Sequence, residues 1–168
     1  MFIGLPSFEQ VLGWGGAFLF IISFQLLNPR QTILLWVPGS ILFAAHFYLL
    51  GSFIAMVTAL LAVVRDLSAC FLQKRPFHII LFLCLIMVWM VTFLMAEGWT
   101  DFLPALGNTF LSFASLNRDL FMRQRLFSAG HQVIWLVFGV FIGSYPLIFQ
   151  CSFLLLSNVV GVFRLWRC

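Results

Sequence analysis

Apolar stretches of roughly 17 to 21 residues follow one another along this chain, the length that carries a helix across a hydrocarbon core of about 30 Å. Seven are predicted, at residues 11–27, 32–50, 53–72, 77–96, 102–116, 126–142 and 146–166. Turn-forming clusters separate them: Asn28-Pro29-Arg30, Gly51-Ser52, Gln73 to Pro76, Glu97 to Asp101, Asn117-Arg118-Asp119 and Gly143 to Pro146. The stretches are continuously apolar and do not alternate, which predicts helices and not barrel strands. A soluble domain is excluded: 63% of the residues are apolar and 8% charged, too few polar groups to cover a surface in water. The first stretch is expected to stay in the protein, since no basic residue precedes it and no small-residue cleavage site follows it.

If seven helices alternate sides, one side of the bilayer receives all nine basic residues: Arg30, Arg65, Lys74, Arg75, Arg118, Arg123, Arg125, Arg164 and Arg167. The other side holds Glu9, Glu97 and Asp101 and no basic residue. The positive-inside rule then places the N-terminus outside the cytoplasm and the C-terminus inside. A net charge of +4 is accounted for by this topology, so the expected partner is the lipid bilayer and not nucleic acid.

Signatures of an enzyme are missing. The chain has no histidine pair at metal spacing, no close cysteine pair and no glycine-rich phosphate loop. Ser128 and His131 share a helix face but have no third member or oxyanion site near them. Cys70, Cys84, Cys151 and Cys168 read as small apolar residues, with none in an outward loop where a disulfide would form. No cofactor and no metal are expected.

An internal repeat divides the helices. Shifting the sequence by 92 residues lays Gly15, Phe18, Leu19 and Ser23 on Gly107, Phe110, Leu111 and Ser115, and lays Gly51-Ser52-Phe53 on Gly143-Ser144-Tyr145. The loop lengths agree as well. The reading is an all-α membrane protein forming one transmembrane domain: a three-helix unit at 11–72, a linker helix at 77–96 and a second three-helix unit at 102–166. One intervening helix flips the chain, so the two units are parallel repeats about an axis along the membrane normal.

This 3-1-3 order resembles the SWEET and PQ-loop transporter superfamily. More closely, Ala45-His46-Phe47-Tyr48-Leu49-Leu50-Gly51-Ser52, Ser152-Phe153-Leu154-Leu155-Leu156 and Arg164-Leu165-Trp166 resemble segments of the bacterial YgjV-type inner membrane proteins. That resemblance implies a bacterial inner membrane protein whose substrate is unassigned, and the wider one implies alternating-access transport of a small solute. Oligomeric state stays open, since two such units can complete a path within one monomer.

Polar residues at membrane depth are costly, and so they mark candidate sites. Asn158 falls about twelve residues into the seventh stretch, roughly 18 Å along it. Its amide suits a polar solute, as asparagines do on the third and seventh helices of SWEET transporters, or an interhelical tie. Its third-helix counterpart is taken as nearest Ala62. Asn108, beside Gly107, reads as close-packing glue first and a solute contact second. His131 and Trp135 lie four apart on one face of the sixth stretch and His46 near the outer end of the second; each histidine is a coupling group or a structural one. Gln150 and Gln25 sit near span ends, within reach of interfacial water. Arg65 and Asp66, buried in the third stretch, are expected to point about 100° apart and not to pair. Arg65 is a candidate anion contact or helix clamp, set against an arginine that snorkels to the headgroups. Gln25 stands beside it as a candidate gate.

Overall fold

The computed structural model describes residues 7–23, 26, 28–117 and 120–166. They form α1 (Phe8–Ser23), α2 (Pro29–Leu49), α3 (Phe53–Phe71), α4 (Lys74–Met95), a 3-10 turn at Trp99–Asp101, α5 (Phe102–Leu116), α6 (Phe121–Ile142) and α7 (Tyr145–Trp166). Among the described residues there is no strand. By length and composition four segments can cross a membrane: Arg30–Leu49, Phe53–Phe71, Lys74–Met95 and Met122–Ile142. Phe8–Ser23 and Tyr145–Val160 are apolar but shorter.

Each apolar stretch contains a helix, yet several helices begin before the apolar run does. Pro29 opens α2, three residues ahead of the predicted start, because the Asn28 side chain accepts from the Arg30 backbone N–H at 2.9 Å and proline needs no donor in a first turn. Lys74 and Arg75 belong to α4, and Arg123 and Arg125 to α6, where the predicted spans began at Phe77 and Leu126. Apolarity marks the hydrocarbon layer, whereas the helical backbone continues into the interface and carries basic residues with it.

Two turns share one construction. Gly51 and Gly143 take positive φ, 76° and 69°. Beyond them Ser52 N–H reaches Phe47 O at 2.9 Å, and Ser144 N–H reaches Gly139 O at 2.9 Å. This is the glycine-terminated helix end in which a left-handed residue lets the next N–H satisfy an orphan carbonyl.

Neighbouring helices along the chain touch in sequence, and α1 also contacts α7 while α3 contacts α5. The apolar core draws Ala17 from α1, Phe43, Ala44 and Phe47 from α2, Ala55 and Ala59 from α3, Trp135 and Phe138 from α6, and Leu147 and Cys151 from α7. Helix α4 contributes nothing to that cluster. It buries Phe77, Leu81, Cys84, Val88 and Thr92, a stripe at helical spacing against α3 and α5, and Trp89 Nε1 donates to Thr109 Oγ1 at 3.0 Å. Its other faces are bare: Ile79, Phe82, Leu83, Ile86, Phe93 and Leu94 are all exposed. So much uncovered hydrocarbon suits a lipid surround.

Candidate functional site

A cavity of about 130 Å³ lies among α1, α2, α3, α5, α6 and α7, and no residue of α4 reaches it. Each wall is a helical stripe. Trp36, Ser40, Phe43 and Phe47 line it from α2, and Ser128, His131, Gln132 and Trp135 from α6. Thr58, Ala59, Ala62, Arg65 and Asp66 come from α3, and Leu147, Gln150, Cys151 and Leu154 from α7. Spacings of three, four and seven put such residues on one face. Most wall positions of α2 and α3 recur 92 residues later: Ser40 with Gln132, Phe43 with Trp135, Thr58 with Gln150, Ala59 with Cys151. The same offset pairs Ala62 with Leu154 and Asp66 with Asn158, which corrects the assignment of Ala62 as the counterpart of Asn158.

Arg65 and Asp66 pair directly, against the expectation from their neighbouring positions. The long guanidinium curls back on its own helix, with Nε 2.9 Å and Nη2 2.8 Å from Asp66 Oδ1. Its Nη1 donates to Asn108 Oδ1 at 3.1 Å. Arg65 and Asp66 are 5% and 4% exposed, so this arginine does not snorkel to the headgroups. Burying the charge is affordable here because a carboxylate and an amide oxygen take up its donors.

One residue along α5 from Asn108, the Gly107 carbonyl meets His131 Nδ1 at 2.8 Å. A carbonyl only accepts, so the neutral ring keeps its proton on Nδ1 and leaves Nε2 as an acceptor. Trp135 stacks on Phe47, ring centres 5.6 Å apart and planes 23° from parallel. Its indole edge lies tight against Gly107, where a Cβ would stand 2.6 Å from Nε1.

Of the seven residues read from the sequence as solute, gate or anion contacts, four line one cavity: Arg65, Asn108, His131 and Trp135. Two others do not reach it. Asn158 turns its amide to Ser128 Oγ at 3.4 Å, behind the wall. His46, wholly buried, has Nδ1 2.6 Å from Glu9 O and Nε2 2.7 Å from Ser144 Oγ, binding α1, α2 and the start of α7 together. Gln25 lies outside the described residues. Gln150, assigned to interfacial water by its nearness to the span end, is instead 8% exposed and part of the wall. Its place between Leu147, Cys151 and Leu154 was the available signal, a stripe that distance from a helix end ignores. Gln132 and Thr58, on the stripes of α6 and α3, were not put forward from the sequence as site residues. Among the described residues no group of histidine, cysteine and acidic side chains is arranged to hold a metal.

The arrangement can hold a small solute between an aromatic wall and a row of amides and hydroxyls, in a space where the fixed charges cancel. No curated protein and no solved structure matches the chain. A family model does match, over residues 7–168, and the chain belongs to that family, the Imp-YgjV bacterial inner membrane proteins.

Proposed function

We propose that this inner membrane protein carries a small polar solute across the bilayer by alternating access between two three-helix units, α1–α3 and α5–α7, with α4 as the linker. The observation that carries the reading is the cavity, walled by both units and untouched by α4. Repetition at one offset supports the division: wall positions, the two left-handed turn glycines and their hydrogen bonds all recur 92 residues on. The paired contacts of α1 with α7 and α3 with α5 fit two units meeting along two seams, the arrangement of parallel repeats and of the SWEET-like order.

In this reading all seven helices cross, with the N-terminus periplasmic and the C-terminus cytoplasmic, and the chain alters no bond in its solute. Helices α1 and α5, at 16 and 15 residues, cross by local thinning of the bilayer and polar ends. Purified protein in proteoliposomes, tested for uptake of labelled sugars, nucleosides, vitamins and amino acids, is expected to give saturable flux for one class. Silence across the whole panel overturns the reading. Reporter fusions after Ser52 and after Lys74 test the topology: the first is expected to be active in the periplasm and the second in the cytoplasm.

A second reading is a membrane scaffold that transports nothing. It is favoured by His46 and Asn158, whose polar atoms are spent on bonds between helices. A stoichiometric protein that co-purifies, together with absence of flux, decides for it.

A further inference from the structure

The chemistry of the cavity wall restricts what it can hold. Its two fixed charges, Arg65 and Asp66, satisfy each other, and the remaining guanidinium nitrogen is taken by Asn108. A solute ion entering this space would shed its hydration with no free countercharge to replace it. An uncharged solute meets no such penalty.

Much of the wall's hydrogen-bonding capacity is already committed. Thr58 gives its hydroxyl proton to Ile54 O at 2.8 Å, Trp36 Nε1 donates to Ser23 Oγ at 2.7 Å, and His131 Nδ1 is held by Gly107 O. Two wall residues, both more than nine-tenths buried, keep one polar atom without a partner among the described residues: the Trp135 Nε1–H donor and the Gln150 Oε1 acceptor. Both atoms are closed to solvent, so hydration does not offset their burial. The terminal torsion of glutamine is soft, and turning it brings the Gln150 oxygen to the cavity. With His131 Nε2, the wall then offers two acceptors to a solute N–H; the Trp135 Nε1–H stays packed against Gly107, and the Gln132 amide and Ser40 hydroxyl on the wall are the donors for a carbonyl.

Size and shape come from the same wall. A cavity of about 130 Å³ is close to the roughly 150 Å³ that accommodates a benzene ring. The Phe47–Trp135 stack supplies a flat apolar face beside it. Resting on the transport reading of this site, we propose that the solute is an uncharged, flat, single-ring molecule carrying an N–H donor next to a carbonyl acceptor, a lactam or amide heterocycle.

The test uses the full-length protein in lipid nanodiscs and measures equilibrium binding of 2-pyridone. It is compared with N-methyl-2-pyridone, which lacks the donor, with benzoate as the anion and with benzylammonium as the cation. The expected result is that 2-pyridone binds about tenfold tighter than each of the others, the worth of one buried hydrogen bond or one avoided charge. Gln150→Met is expected to shrink the gap between 2-pyridone and its N-methyl analogue to less than about twofold. Gln132→Met, which keeps the length of the side chain but not its amide, is expected to weaken 2-pyridone and its analogue together. No binding of 2-pyridone at millimolar concentration, equal binding of the N-methyl form, or preference for either ion overturns the proposal, and these wild-type comparisons stand even if a variant misfolds. Flux is read separately in proteoliposomes. Selective 2-pyridone binding without protein-dependent flux upholds the solute class and removes transport; flux of an ion or a sugar without 2-pyridone binding does the reverse.

Discussion

Arg65 Nη1 donates to Asn108 Oδ1 at 3.1 Å, and so ties α3 to α5 across the seam where the two halves of the chain meet. The same guanidinium holds Asp66 through its other nitrogens. All three residues are buried, which makes the network costly to break at any one point.

Asp66→Asn removes the countercharge and leaves a buried arginine, a loss of about 3–5 kcal/mol. Asn108→Ala deletes one acceptor and is expected to cost about 1–3 kcal/mol. The double change Arg65→Leu with Asp66→Leu takes out the charges together and recovers most of the Asp66→Asn loss. Denaturant unfolding of the purified protein in micelles gives the ranking; a double variant less stable than Asp66→Asn contradicts the electrostatic account.

At Gly107 helix α5 leaves no room for a side chain against α6. A Cβ there would sit 2.6 Å from Trp135 Nε1 and 2.8 Å from its Cδ1, so Gly107→Ala must push the indole or the helix aside. The expected cost is about 1–3 kcal/mol. Trp135→Leu in the same chain relieves the clash, and the double variant should lose less than the two single losses added. Unfolding measurements on all three variants test this, and strict additivity would count against the contact.

The membrane class, the number of helices and the shared face of His131 and Trp135 were legible because hydrocarbon length and helical period write directly into the sequence. Helix starts at Lys74 and Phe121 were not, since a helix that leaves the hydrocarbon keeps its backbone bonds while its side chains turn polar. Burial direction was also hidden. Gln150 looked peripheral by distance from the end of its span, and Asn158 looked central by the same measure, but the rotation of α7 about its axis puts the first in the cavity wall and the second behind it. The Arg65–Asp66 pair failed for a different reason: backbone spacing gives the angle between Cβ atoms and says little about a side chain long enough to fold back.

The two turn glycines give a backbone test independent of any site. At φ 76° and 69° a side chain strains against its own carbonyl, so Gly51→Ala and Gly143→Ala are each expected to cost about 1–2 kcal/mol. Apart from the two chain neighbours, no atom of the described residues stands within 4 Å of a Cβ at either position, so the loss is conformational. Asparagine, which tolerates the left-handed region, should be milder than valine at both sites. Thermal unfolding of the alanine, asparagine and valine variants reads the order, and a valine variant as stable as the asparagine one would contradict it.

His46 joins three helices at the N-terminal end of α1. It is held by Glu9 O and Ser144 Oγ, and Gln10 Nε2 adds a 3.3 Å bond to Gly143 O beside it. Ser144→Ala removes one interhelical bond, worth about 1 kcal/mol in a membrane protein. If α1 and α7 part when the cavity opens toward that end, the bond belongs to the closed state alone, and its loss raises the open population by roughly fivefold. The measurement is the labelling rate of Leu147→Cys, a wall position, by a membrane-impermeant maleimide added from outside, in a background with the native cysteines replaced. Ser144→Ala and His46→Phe are both expected to speed it. A rate unchanged in both, with stability lowered as stated, would make the clasp a fixed joint of the bundle and count against opening along this seam.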